Sequence, residues 1–223
     1  MKTLTVDELK IALEKHRKWV LGESGGERAD FAGFDLRSAD LRSADLYGAN
    51  LYGANLRSAN LYGANLRSAD LRSADLRSAD LRSADLRSAD LRSADLYGAN
   101  LYGANLYGAN LRSANLYGAN LGSADLGGAN LRSADLYGAN LRSADLGSAD
   151  LGSKTFLGCV LRVIGACNDS IQWVDGEDQS DLADLYGRAP KDWQHWIRDA
   201  LGGEFSLERL SIVFDFRVAG VRW

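Results

Sequence analysis

Hydrophobic residues recur at every fifth position over more than half of the chain. From Phe31 to Leu151, 25 consecutive fifth positions are Phe or Leu without a break. Alanine stands two residues before these leucines, from Ala39 through Ala149. A period of five fits neither an α-helix, at 3.6 residues per turn, nor a flat β-strand, with a period of two. Both apolar positions are therefore expected to face an interior, so the chain must turn a corner every five residues.

Corners at this spacing predict a square coil. Four corners close one coil of about 20 residues, and coils stack at the roughly 4.8 Å spacing of paired strands. Asp or Asn precedes each leucine, while Arg, Tyr or Gly and then Ser or Gly follow it. Serine and glycine suit turns, and Asp and Asn can bond backbone groups at the corners. We expect these three positions to face water.

The unit Ala-(Asp/Asn)-Leu-x-x resembles the signature of pentapeptide-repeat proteins over roughly residues 29–163. The resemblance implies a mainly β fold, a right-handed quadrilateral β-helix. The pattern departs only near its ends, where Phe34 replaces alanine and GSKTF occupies 152–156. Terminal coils of a solenoid meet caps and not another coil, so such departures are expected there. The leader HRKWVLGESGGERAD at 16–30 also resembles the one that precedes the repeats in many bacterial and phage members. The near-identity of the units indicates recent duplication, or design.

The residues before the repeat predict a capping helix. TVDE at 5–8 reads as a capping box, with Thr5 as N-cap and Glu8 as its reciprocal partner. Apolar residues then follow at helical spacing as far as Trp19 and Val20, and glycines from Gly22 onward end the helix. The amphipathic pattern predicts that the helix lays Trp19 across the first coil. His16 is expected to be a packed helix residue and not a metal ligand.

The residues after the repeat differ sharply in composition. Residues 154–223 contain four of the five tryptophans and the only proline. Short apolar segments and a helix starting near Pro190 predict a small α+β unit. The predicted organisation is a capping helix and leader at 1–28, a repeat β-helix at 29–158, and a C-terminal capping or interaction unit at 159–223.

Charge is nearly balanced in each part. Lys plus Arg against Asp plus Glu count six to six in residues 1–34, twelve to thirteen in 35–153, and eight to eleven in 154–223. A nucleic-acid binder needs a basic patch, so direct binding of nucleic acid is not expected. The chain shows neither a bilayer-spanning apolar segment nor a signal peptide, which predicts a cytoplasmic protein without membrane contact. Cys159 and Cys167 lack metal or redox spacing, and neither metal nor cofactor is expected.

Residues twenty apart should lie above one another, which predicts columns of outward-facing side chains. One column ends in three tyrosines and forms a candidate surface ladder: Tyr97, Tyr117 and Tyr137. These rings either offer a platform to a partner or simply pack on each other across the coils. In the unit LRSAD an Asp follows each Arg by three residues, so we expect counter-charges near the arginines.

These features predict a non-catalytic rod whose C-terminal unit mediates self-association or binds a protein partner. Candidate partner-binding residues are the tryptophans of that unit, because Trp concentrates at interfaces: Trp173, Trp193, Trp196 and Trp223. His195 is flanked by Asp192 and Asp199 without a Ser or Cys nucleophile at obvious spacing, so no catalytic residue is assigned and no enzyme is expected.

The resemblance also implies an alternative function. Some family members inhibit DNA gyrase with acidic rods that imitate DNA, and a phage-borne member could inhibit such an enzyme or a host-defence factor. The near-neutral repeat, with no loop inserted between residues 31 and 151, disfavours this alternative.

Overall fold

The computed structural model describes residues 2–151. In chain order these form strand β1 (Lys2–Thr3), helix α1 (Val6–Val20), strand β2 (Phe34–Asp35) and the stacked repeat. The predicted C-terminal unit, its strands and its helix lie outside the described residues, as do residues 152–158 of the predicted repeat domain. None of the described helices is both long and apolar enough to cross a bilayer.

The repeat forms the predicted solenoid with four five-residue units per coil. Single-residue parallel bridges join each Asp or Asn to the Asp or Asn twenty residues later, from Asp30 with Asn50 to Asn130 with Asp150. The β-helix prediction is thereby confirmed for the stacked coils. Apart from β1 and β2, the described ladders consist of these single bridges, because the turn in each unit takes up the other residues.

Leucine and alanine build the interior, as predicted. The leucines from Leu46 to Leu126 have no exposed surface, and the alanines between them are almost as deeply buried. Alanines of the outermost described coils, such as Ala39 and Ala149, are only partly buried. The uniform Leu–Ala pairing therefore forms one continuous core along the rod.

A unit in the interior of the rod satisfies all five of its backbone N–H groups. In the unit 81–85, Leu81 and Ser83 donate to carbonyls of the next coil at 2.7 and 3.1 Å, and Asp85 donates to the previous coil at 2.9 Å. Ala84 N–H closes the turn onto the Leu81 carbonyl at 3.1 Å. Arg82 N–H has no backbone acceptor and bonds Asp80 Oδ1 at 3.2 Å. A buried or half-buried N–H without a partner is costly, so this side-chain acceptor explains why every unit carries Asp or Asn.

The second residue after each leucine has left-handed backbone geometry, with φ of 55° at Ser88 and 66° at Gly108. Glycine adopts this region without strain, whereas serine does so at a cost. The turn closed by the Ala-to-Leu hydrogen bond requires this φ, which explains the restriction to Ser and Gly at this position.

The predicted capping box begins α1. Glu8 N–H donates to Thr5 Oγ1 at 3.2 Å, and Thr5 N–H donates to Glu8 Oε2 at 2.7 Å. Side chains of Leu9, Ala12 and Leu13 pack against the core of the rod. Strand β1 pairs in parallel with β2, with Lys2 opposite Phe34 and Thr3 opposite Asp35. The N-terminal residues thus cover part of the first coil's open edge.

His16 is packed, as predicted, and completely buried. Its Nδ1 accepts a hydrogen bond from Ala29 N–H at 3.0 Å, at the start of the first coil. The ring stacks on Trp19, with centroids 5.4 Å apart, and Trp19 lies beside Gly48. A side chain at Gly26 would meet the Trp19 backbone nitrogen at 2.3 Å, so only glycine fits in this return from helix to coil.

Candidate interaction surface

The Asp or Asn before each leucine is half-buried through the middle of the rod, and this corrects the expectation that the position simply faces water. Its Oδ1 accepts the backbone N–H two residues later, as between Asn105 and Tyr107 at 3.0 Å. At some positions where Asn follows Asp or Asn in a column, its amide also donates to the previous coil, as from Asn115 to Asp95 Oδ1 at 2.9 Å. The side chain therefore mainly supports the backbone turn through hydrogen bonds, and its contribution to the surface is secondary.

The arginines pair with a different carboxylate from the one that the sequence analysis expected. Arg82 donates Nε to Asp80 Oδ1 at 2.8 Å and Nη2 to Asp80 Oδ2 at 2.6 Å, not to Asp85. Residues on either side of an inward-pointing leucine project from the same side of the rod, whereas the Asp three residues later lies beyond the corner. The ion-pair lattice comprises seven such pairs: Asp35–Arg37, Asp40–Arg42, Asp70–Arg72, Asp75–Arg77, Asp80–Arg82, Asp85–Arg87 and Asp90–Arg92.

These pairs hold the carboxyl groups ionised. Hydrogen bonds from the Arg42 side chain and backbone lower the pKa of Asp40 to about 2. The corresponding arginine side chain is the main cause of the lowered pKa of Asp70, Asp75, Asp80 and Asp85. At neutral pH the lattice is thus fully charged and internally compensated.

Some arginines also reach the carboxylate of the next coil. Arg77 Nε lies 3.5 Å from Asp95 Oδ2, and Arg72 Nε lies 3.8 Å from Asp90 Oδ2. Each such arginine lies between carboxylates of two coils, which links neighbouring coils and cancels the field along the rod.

The predicted columns are confirmed by contacts between residues twenty apart. The tyrosine stack consists of Tyr97, Tyr117 and Tyr137, with ring centroids 5.2 and 5.0 Å apart and near-parallel planes. Lower in the rod, Arg72 lies over the Tyr52 ring at 5.3 Å. The stacked rings pack on each other and still expose their outer edges. Binding of a partner by the tyrosine stack remains a prediction.

One coil differs from its neighbours in charge. The low-charge coil, residues 96–115, contains Arg112 as its only charged residue, whereas residues 76–95 contain four Arg and four Asp. Asn110 stands two residues before Arg112, where the ion-pair lattice has Asp, and Asn130 stands at the equivalent place one coil further on. Within residues 2–151 no ion pair to Arg112 is formed. The other three corners of this coil carry the exposed rings of Tyr97, Tyr102 and Tyr107.

Two of these rings cover glycines. A side chain at Gly122 would lie 3.1 Å from the Tyr102 ring, and one at Gly127 would lie 3.0 Å from the Tyr107 ring. Both glycines are buried, while about half of each tyrosine stays exposed, 52% and 58%. The rings are thus held against the rod by the coil above, which limits the entropy lost when a partner binds them.

Tyr102, Tyr107 and Arg112 are not among the site residues predicted from the sequence. The signal was present in the three consecutive LYGAN units that follow six LRSAD units. In the part of the chain that the structure describes, no cluster of His, Cys, Asp or Glu is arranged to hold a metal ion. The predicted partner-binding tryptophans, with Cys159, Cys167 and His195, lie outside the described residues.

The family model described as pentapeptide repeats matches eight copies in this chain, over residues 27–57, 49–87, 59–96, 74–113 and 114–152. These matches cover more than half of the sequence. The chain belongs to the pentapeptide-repeat family. Among proteins with curated descriptions, the comparison finds no match.

Solved structures of pentapeptide-repeat proteins are similar to this chain. A protein of the Arabidopsis thaliana thylakoid lumen is 37% identical, with a TM-score of 0.40, over 40% of this chain and 62% of its own length. Rfr23 of the cyanobacterium Cyanothece 51142 is 29% identical, with a TM-score of 0.43, over 65% and 99%. QnrB1, a plasmid-mediated fluoroquinolone resistance protein, is 25% identical, with a TM-score of 0.32, over 55% and 68%. The chain thus spans under two thirds of the Arabidopsis protein.

Proposed function

We propose that this pentapeptide-repeat protein is a non-catalytic, cytoplasmic interaction protein. In this proposal, α1 caps the first coil, and residues 159–223 form a C-terminal α+β unit that mediates self-association or binds a partner. The low-charge coil, residues 96–115, supplies a second contact surface on the rod itself.

The observation that carries this proposal is the contrast between the low-charge coil and the coil before it. Protein interfaces are enriched in Tyr and Arg and depleted of Asp, Glu and Lys at their centre. The low-charge coil presents three tyrosines and an arginine without a carboxylate, on a backbone whose hydrogen bonds are internal. A partner would therefore meet rigid aromatic side chains without first separating ion pairs.

A photo-crosslinking experiment tests this surface. A benzoylphenylalanine replaces Tyr107 in the full chain, and the matched control replaces Arg87, which lies one coil away in the same column. We expect crosslinks to a second copy or to a host protein from position 107 and none from position 87. Equal crosslinking from both positions, or none from position 107, would contradict a role for the low-charge coil.

Self-association through the C-terminal unit is tested separately. Light scattering after size-exclusion chromatography compares the full chain, of 24.1 kDa, with a truncation after Ser153. We expect the full chain to exceed its monomer mass and the truncation not to do so. A clean monomer of the full chain at high concentration would count against self-association.

Imitation of DNA is disfavoured by the ion-pair lattice. A DNA mimic needs a continuous row of uncompensated negative charge, whereas seven aspartates of the rod each hold an arginine. Micromolar protein added to a DNA gyrase supercoiling assay is therefore expected to leave the reaction unchanged. Inhibition in that assay would revive the alternative of a gyrase inhibitor.

A further inference from the structure

The junction between α1 and the first coil contains the one titratable side chain that is completely buried among the described residues. His16 projects from α1 against the start of the repeat, and its Nδ1 accepts the Ala29 N–H at 3.0 Å. Accepting this bond requires an unprotonated Nδ1, so the docked ring is the neutral tautomer with its proton on Nε2.

The other ring nitrogen, Nε2, is also enclosed. Nε2 is buried and forms no hydrogen bond of normal geometry to a described residue, although the Tyr47 backbone favours the protonated ring. A second proton on the ring would have to enter at Nδ1. It would replace the acceptor of the Ala29 N–H by a second donor and leave a charge on a ring without exposed surface.

The charged groups near the ring have opposite effects on the pKa of His16. Asp45 on the first coil favours the imidazolium, whereas Arg28, in the segment that returns from the helix, disfavours it. On its own helix the ring stacks against Trp19, which carries no charge. Burial is the largest influence, and it lowers the pKa of His16 from its ordinary value of about 6.5.

We propose that His16 is an acid-sensitive latch that holds α1 on the first coil at neutral pH and releases it at mildly acidic pH. Protonation breaks the His16–Ala29 hydrogen bond and favours the state in which the imidazolium reaches water. The remaining contacts of the junction include the Lys15–Glu27 ion pair at 3.0 Å and the bond from Arg28 Nε to the Gly48 carbonyl at 2.6 Å. Neither of these contacts involves a histidine, the side chain whose charge ordinarily changes between pH 5 and 8, so the latch is the contact expected to respond in this range.

Release has a structural consequence at the end of the rod. Strand β1 precedes α1 directly and pairs with β2, so undocking of the helix weakens that pairing as well. The backbone groups of Phe34 and Asp35 would then form an open sheet edge, a place at which another strand can add.

Hydrogen exchange of the full chain between pH 7 and pH 5 tests the latch. Because one proton is linked to release, the protection factors of α1 amides should fall up to tenfold per pH unit below about pH 6.5. The amide of Leu86, deep in the rod, serves as internal control and should keep its protection. Equal pH responses of α1 and Leu86 would overturn the proposal.

Two variants sharpen the test. His16→Gln keeps a side-chain acceptor that does not titrate, so its α1 protection should not change over this pH range. The matched control, His195→Gln, removes the other histidine and should respond as the unmodified chain does. A pH response of His16→Gln like that of the unmodified chain would overturn the proposal.

NMR titration of the unmodified chain tests the latch even if α1 of the His16→Gln variant does not dock on the first coil. The chain has two histidines, and His195→Gln assigns the signals. We expect His16 to carry its proton on Nε2 at pH 7 and to titrate below about pH 6.5. A proton on Nδ1, or titration at or above the ordinary value, would refute the latch.

Discussion

At the scale of the residue, the Asp or Asn before each leucine has two separable roles. Its Oδ1 satisfies a backbone N–H that no carbonyl of the rod reaches, and this role is common to every described unit. Only Asp adds a negative charge that an arginine two residues later can bind. The choice between Asp and Asn therefore sets the surface charge without altering the turn.

Substitutions at Asp85 separate these roles. Asp85→Asn keeps the acceptor for Arg87 N–H, now at 3.2 Å, and loses only the ion pair with a half-buried arginine, so we expect a change below about 1 kcal/mol. Asp85→Ala loses the acceptor too and should be about 0.5–1.5 kcal/mol less stable than Asp85→Asn. Urea unfolding measures the difference, and equal stability of the two variants would refute the assigned role of Oδ1.

The core leucines are predicted to dominate stability. Leu86 has no exposed surface, and Leu86→Ala leaves a cavity between coils that cannot collapse without moving their ladders. We expect a loss of about 2–5 kcal/mol in the free energy of unfolding. The neighbouring Arg87→Ala is the control and should cost less than about 1 kcal/mol. If Arg87→Ala lost more stability than Leu86→Ala, the ion-pair lattice would stabilise the rod more than its core contacts do.

At the scale of the element, each five-residue unit is a single turn, and the stacked turns make up the whole repeat. The left-handed residue after Arg, Tyr or Gly makes the corner, and the next residue, alanine, closes it. Ser and Gly at this position differ in strain, although the same hydrogen bonds are made. Where Ser and Gly stack in one column, the intrinsic backbone preferences of these two residues can therefore be compared directly.

Gly108→Ala and Ser88→Gly make that comparison, since the two residues stack in one column. A side chain at Gly108 would contact only Ser88 Oγ, at 3.8 Å, so its cost comes from φ and not from a clash. We expect Gly108→Ala to destabilise by about 1 kcal/mol and Ser88→Gly to be neutral or stabilising by up to about 1 kcal/mol. Thermal or urea unfolding checks both signs, and destabilisation by Ser88→Gly would contradict the strain at serine.

The sequence predicts the coil because its signal is periodic. The unbroken Leu–Ala pattern implies a closed core, and residues twenty apart stack as that pattern requires. Thr5 and Glu8 likewise predict the helix start, because both partners of the capping box lie within four residues. These successes share a cause, namely that the deciding contacts follow from spacing along the chain.

Contacts set by side-chain direction were not predictable in the same way. Arg82 lies three residues before Asp85 and two after Asp80, and spacing alone does not tell which carboxylate shares its side of the corner. The bond from Ala29 to His16 crosses from the coil to the helix, and no periodic pattern relates the two residues. The contrast between the low-charge coil and the ion pairs of its neighbours depends on the same side-chain directions.

At the scale of the whole molecule, the rod has one core, one repeated hydrogen-bond pattern and a surface whose charges cancel locally. Variation is confined to the outward-facing positions, so the surface can change from charged to aromatic within one coil while the interior stays the same. This separation explains how the low-charge coil can follow directly on the most highly charged one.

The ion-pair lattice predicts loss of stability in acid. The pKa in the folded chain lies below its unfolded value for these aspartates of the lattice: Asp35, Asp40, Asp70, Asp75, Asp80 and Asp85. These groups therefore stabilise the fold above about pH 4. That contribution should disappear as the pH falls toward 2, the approximate pKa of Asp40. Circular dichroism melts between pH 5 and 2 check this, in the His16→Gln background to remove the separate effect of that histidine. A melting temperature that stays constant down to pH 2 would contradict the prediction.

The twenty-residue coil also links chain length to direction. Adding or deleting four units lengthens or shortens the rod by one coil and leaves the azimuth of everything beyond it unchanged. Adding or deleting a single unit instead swings all later residues through a quarter turn about the long axis, relative to α1. Length variants of the repeat would therefore fall into four orientation classes, in which the last described coil differs by successive quarter turns about the long axis relative to α1.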